Sequence, residues 1–140
     1  MKYLCLVAII AIFFTSSCKT TYQKKTKTCP EITHLKGDST TYEVVVFDPE
    51  FESWYAMHYS QASDHSESYY KNWNKQYVDE WNYKASTGGK YSHFFLNSID
   101  YDFNISYGID VERKLFWYFK FVETYLKIPI LPYGPSSHSF

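Results

Sequence analysis

The stretch that most limits what this chain can become is VERKLFWYFKFVETYLK, residues 111 to 127. At the helical step of about 100° per residue, Val111, Leu115, Trp117, Tyr118, Phe119, Phe121, Val122, Tyr125 and Leu126 spread over an arc of roughly 200°. Glu112, Arg113, Lys120, Glu123, Thr124 and Lys127 take the rest. So wide an apolar arc asks for a sheet below the helix and a second helix beside it. Asp110 is a fair N-cap, and Glu123 precedes Lys127 in the favoured order for a pair four apart. Phe116 falls among the charges. It either lies under Lys120, one turn on, or marks a contact with a partner.

The other elements follow from their periods. Tyr42 to Phe47 is β-branched and aromatic and stops at Asp48-Pro49, which reads as a strand covered on both sides. Asp48 then caps a short helix with Pro49 in its first turn, which turns Phe51 and Trp54 back toward the sheet. A carboxylate after a strand is also a place for catalysis, but the cap already explains this one. Residues 63 to 84 read as a helix capped at Asp64 with Glu67 three residues on. Tyr69, Tyr70, Trp73, Tyr77 and Trp81 share one face, with Lys71, Lys75, Asp79 and Asn82 opposite. Glu80 lands inside the aromatic face, where a carboxylate must be paired or titrate high. It is either an acid facing a ligand beside Trp73, Tyr77 and Trp81, or a structural acid bonded to Arg113 or a tyrosine hydroxyl.

SIDYDFNISYGID alternates as a half-buried strand does, with Ile99, Tyr101, Phe103, Ile105 and Tyr107 on one side. Asp100, Asp102 and Asn104 imitate the opening of a calcium loop. The imitation ends at Ile105, where glycine is needed, and at Val111, where the bidentate glutamate belongs. In the last stretch, IPILPYGPSSHSF, Pro129 and Pro132 end the helix and keep the chain extended. Ile128, Ile130 and Leu131 then lace over the domain or offer an edge to a partner.

The chain opens MKYLCLVAIIAIFFTSSC. One lysine precedes an apolar run of roughly a dozen residues, well short of the ~20 that span a bilayer, and small residues follow it. This is the build of a secretory signal. Ser16 and Ser17 before Cys18 resemble a bacterial lipobox, in which the cysteine is lipidated and becomes the first residue of the mature chain. Thr15 stands where an aliphatic residue is usual. A plain secretion signal and an uncleaved anchor are the other readings. Residues 1–17 are thus read as signal, 18–41 as a flexible Lys- and Thr-rich tether too poor in apolar residues to order, and 42–140 as one domain with an extended tail. Cys29, alone after Cys5 is removed and Cys18 modified, is expected to be an exposed thiol with no internal disulfide to make.

No catalytic constellation stands out. The histidines show no HExxH spacing and no cysteine pair offers a zinc site. Lys90 after Gly88-Gly89 is followed by Tyr91 rather than Ser or Thr, so that loop reads as a flexible turn. No metal and no cofactor are expected. A formal net charge of −1 suggests no nucleic-acid partner. Tyr 15, Phe 11 and Trp 4, together 21% of the chain, allow a small domain to build its core from few, large side chains. The expected fold is a small α+β domain: a short sheet packed by two aromatic-faced helices, behind a signal and tether.

YEVVVFDPEFESWY, SYYKNWNKQYVDEWN and YGIDVERKLFWYFKFVETYLKIPILP, in this order behind a lipobox, resemble a family of short lipoproteins from Bacteroidetes-type Gram-negative bacteria, classed as a domain of unknown function. The resemblance implies a place in the cell envelope and a turn near Asp102-Phe103 in place of an unbroken strand. It implies no activity and no catalytic residue. Lipoproteins of such bacteria tend to reach the cell exterior when acidic residues follow the lipidated cysteine, so the resemblance, with no acid in KTTYQKK, implies the periplasmic face of the outer membrane. The expectation is therefore a protein held to the membrane by lipid at Cys18, acting without catalysis through an envelope protein partner, with Phe116 as candidate contact. Binding of a small ligand or glycan around Trp73, Tyr77, Glu80 and Trp81 is the alternative. A hydrolase using Asp48 and Glu80 is a third class.

Overall fold

The computed structural model describes residues 29–34, 41–46 and 48–135. The stretch expected to be a signal, the expected lipid site at Cys18 and most of the expected tether lie outside them. Among the described residues the order is β1 (Glu31–His34), β2 (Tyr42–Val45), α1 (Pro49–His58), a 3-10 turn (Gln61–Ser63), α2 (Glu67–Thr87) and α3 (Ile109–Thr124). The chain is an α+β domain in which a two-stranded antiparallel sheet and three helices share one aromatic core.

α3 is the axis. It packs against α2, α1 and β2, and every residue from Leu115 to Val122 is buried. Consecutive side chains point in different directions, so such a run requires neighbours on every side. Trp117 and Phe121 meet Trp54 of α1, at ring distances of 5.8 Å and 5.5 Å. Phe119 stacks on Tyr77 of α2 at 4.8 Å, and Phe116 sits 5.2 Å from Tyr70. Phe116 is wholly buried, so its assignment as an exposed partner contact is corrected. The supposed polar side of the helix faces α2, and α2 covers it with aromatic rings.

Local chemistry sets the ends of the elements. The Asp48 carboxylate accepts the Glu50 amide at 2.9 Å, as a cap should, and Pro49 follows. Phe51 and Trp54 turn onto α3, in one buried cluster with Val44 of the sheet. α2 begins later than expected: Ser66 caps it by accepting the Tyr69 amide at 3.3 Å, and Asp64 is engaged elsewhere. α3 starts from Gly108 at φ +88°, a conformation suited to glycine. Asp110 lies inside the first turn and pairs with Arg113 at 2.7 Å.

Four further expectations are corrected. The first strand pairs Ile32 with Val44, so the domain begins inside the stretch assigned to the tether, and Cys29 packs against the core instead of standing exposed. β2 ends at Val45, and its Glu43 is exposed, so this strand is covered on one face only. Residues 99–107 form no strand. Asn82 of α2 takes both backbone groups of Ile99, accepting its amide at 2.8 Å and donating to its carbonyl at 3.0 Å. Asp102 then closes a turn by accepting the Asn104 amide at 2.8 Å, where the family resemblance implies one. A side chain of α2 thus replaces the partner strand that the alternation presumed.

The C-terminal segment is a strap. Ile128 and Ile130 are buried, and Glu123 accepts the amides of Ile130 and Leu131 at 3.2 Å and 3.0 Å. This engages the acid expected to pair with Lys127. Replacing Phe116 with alanine leaves a cavity at the helix axis and is expected to lower unfolding free energy by about 3–5 kcal/mol. Met57→Ala, at a residue 74% exposed, should stay within ~0.5 kcal/mol. Urea unfolding followed by tryptophan fluorescence measures both, and a Phe116→Ala loss below ~1 kcal/mol would contradict the packing described.

Candidate functional site

The residues expected to form a ring-lined site are drawn apart. Measured from Trp73, the buried side chains of α2 (Tyr70, Asn74, Tyr77, Val78 and Trp81) centre about 80° round the helix. Trp73 therefore stands at one edge, and Glu80 lies about 100° from the centre of the arc. Tyr77 and Trp81 are closed to solvent, so no ligand reaches a patch built from their rings. Glu80 pairs with Lys84 one turn on, not with Arg113 or a tyrosine. It sits on the wall of a cleft of about 370 Å³ between the end of α2 and the strap, lined also by Lys84, Gly88, Lys90, Tyr91, Ser92, Phe95 and Pro129 to Pro132. Glu80 thus lies at a cavity, but the cavity's aromatics are Tyr91 and Phe95. The ASTGGKYS loop, read as a turn, supplies much of its rim.

A second concavity, of about 500 Å³, runs beside α1 and the end of α3, lined by Trp54, Met57, His58, Trp117, Lys120, Thr124 and Tyr125. A shallower hollow of about 290 Å³ continues it past Pro49, Glu50 and Ser53, sharing Trp54, Met57 and Tyr125. The floor is aromatic: Trp54 stacks on His58 at 4.3 Å, and Tyr125 stacks on Phe121 at 5.0 Å. Met57 and Tyr125 rise above it, 74% and 50% exposed. Nothing in the helical period singles out Met57, since α1 is short and its buried positions are only Phe51 and Trp54.

Comparison with known families places residues 4–132 in a family of unknown function, DUF6146. The chain belongs to this family. No curated protein and no solved structure matches it. Family membership brings no residue roles with it, so the chemistry of this member rests on its own side chains.

Among the described residues, the carboxylate held deepest in the interior is Glu112, wholly buried. Asn74 donates to it at 2.8 Å and also to the Glu112 carbonyl at 2.7 Å, and the Tyr101 hydroxyl donates at 3.1 Å. Burial raises its pKa, and the Asn74 and Tyr101 hydrogen bonds only partly offset this. The other Asn74 amide atom, Oδ1, is buried without a hydrogen-bond partner among the described residues. A second acid is its counterpart. Asp64 meets Arg113 in a two-pronged pair at 3.0 Å and 2.7 Å and accepts from Tyr59 and Tyr70. Burial alone would raise the Asp64 pKa, but the Arg113 and Tyr70 bonds outweigh it and hold the carboxyl at about 2. Asp48, weighed as a catalytic acid, is buried as a cap, while Glu80 is held by Lys84.

These two acids act on stability with opposite signs. Glu112 binds its proton more tightly folded than unfolded, so its contribution is full at acid pH and is lost as pH rises above the ordinary glutamate range. Asp64 contributes above the ordinary aspartate range and loses that contribution as pH falls toward about 2. Urea unfolding across a pH series should show Glu112→Gln gaining on the native chain as pH rises, and Asp64→Asn losing the acid-side slope. A Glu112→Gln difference independent of pH would contradict the raised pKa.

Proposed function

We propose that this chain is a lipid-anchored protein of the cell envelope that works without catalysis, by holding a protein partner at the groove between α1 and the end of α3. The anchor reading draws on the short apolar run and the small residues before Cys18, together with the resemblance to Bacteroidetes-type lipoproteins. The absence of acid in KTTYQKK supports the periplasmic face of the outer membrane. Among the described residues no helix is long and apolar enough to cross a membrane. The carboxylates considered for catalysis, Asp48 and Glu80, both serve structural bonds.

The observation that carries the contact reading is Met57 and Tyr125 standing exposed above a floor that includes Trp54 and Trp117. Aromatic residues and methionine around a preformed hollow are the composition of protein interface centres, and the flexible thioether adapts to what it meets. The occupant is an apolar side chain of an envelope protein. This replaces Phe116 as the contact. The ring-patch alternative at Trp73, Tyr77 and Trp81 is set aside because Tyr77 and Trp81 are buried.

Fatty-acid labelling in the host should mark the native chain and not Cys18→Ala; label on neither would remove the anchor. A photo-crosslinking residue at position 57 should give one recurrent adduct in cells. That adduct should vanish with Tyr125→Asp, persist with Leu96→Asp at an exposed apolar position outside the groove, and its purified partner should rebind the native chain. No adduct, or one indifferent to Tyr125→Asp, would sink the contact reading.

A further inference from the structure

We propose that the cleft between the end of α2 and the C-terminal strap binds a small carboxylate with an apolar body. The inference is independent of the groove and uses none of its residues. The cleft encloses about 370 Å³, within the size of small-molecule sites. Its two halves differ in chemistry. The inner half is apolar: Phe95 and Ile130 are 3% and 1% exposed, and Pro129 and Pro132 stiffen the strap that carries Ile130.

The rim holds the charge. Glu80 and Lys84 neutralise each other through their ion pair. Lys90 is then left over: its ammonium lies 5.1 Å from the Tyr91 ring centre, and no carboxylate among the described residues pairs with it. Tyr91 and Ser92 follow it on the same wall. The loop that presents Lys90 passes through Gly88 and Gly89 at φ +73° and +123°, with open space around both. These glycines therefore serve the backbone path rather than close packing. An apolar floor fixes the body of a ligand, and one uncompensated ammonium with a hydroxyl nearby selects its head. An anion satisfies that rim, whereas an amine brings a second cation to Lys90 and finds Glu80 already paired.

The test uses the full chain in lipid nanodiscs, with empty nanodiscs subtracted, and saturation-transfer NMR on three probes of one body: hydrocinnamate, phenylpropylamine and phenylpropanol. Hexanoate serves as an aliphatic acid. At least one of the two acids should bind saturably and more tightly than the amine and the alcohol. Lys90→Gln should weaken it about fivefold, the worth of a single exposed charge contact. Ser92→Trp should abolish binding by filling the cleft. Both changes are at exposed residues, and circular dichroism checks that the fold survives. Neither acid binding saturably, equal binding of acid and amine, or acid binding unchanged by both variants would overturn the proposal. Each of these results leaves the crosslink at position 57 unaffected.

Discussion

Because α3 is buried without interruption from Leu115 to Val122, the rest of the domain has to be a wrapping. A helix with one apolar face needs one neighbour; a helix buried all round needs several. This chain supplies α1 on one side, α2 on another, with β2 and the strap completing the enclosure. Aromatic rings make this feasible for a short chain, since each fills a large volume and loses little rotamer freedom for the area it buries. The same constraint explains the polar groups of the interior. Glu112 and Lys120 belong to the helix that became the axis, so both are enclosed. Asn74 and Tyr101 answer one, and the Pro135 carbonyl and Glu123 answer the other.

The helices are legible because their signals are local. Asp48-Pro49 marks a start whatever surrounds it, and the period of 111 to 127 identifies a helix at sight. Direction and partnership are what a linear pattern leaves out. On α2, the large rings of Trp73 and Tyr69 pull the apparent face toward themselves, although they lie at its edge and Asn74 near its centre. A fully buried asparagine carries no apolar signal. It is there because Glu112 is there, 38 residues away. Phe116 misleads for the same reason: its charged neighbours on the wheel include Glu112 and Lys120, which are themselves inside. The alternation of residues 99 to 107 is real, but a strand needs a partner ladder, and Asn82 occupies the backbone of Ile99 first.

Of the candidate site, one wall is readable from helical spacing, and its chemistry is not. Glu80 does stand at a concavity, yet the residues that shape that concavity come from the glycine-lysine loop and the proline-bound tail, both of which read as connecting material. Pockets are assembled from segments distant in the chain, and a helical period reports on one element only. The groove is invisible for a related reason: it lies where α1 and the end of α3 diverge, and its most exposed members, Met57 and Tyr125, are ordinary residues until their neighbours are known.

Glu123 ties the tail to the body. Its carboxylate accepts the Tyr77 hydroxyl at 2.8 Å and two strap amides, so one side chain fastens the strap to the helices. The strap in turn forms a wall of the cleft through Pro129 to Pro132. The wall of the cavity therefore depends on that fastening, together with the burial of Ile128 and Ile130 and the Lys120 bond to the Pro135 carbonyl. Anything that binds the formed cleft favours the fastened tail over any arrangement lacking that wall, by mass action. The backbone amides of Ile130 and Leu131, held by Glu123 rather than by the charged rim, would be the first to report occupancy through slower exchange with solvent.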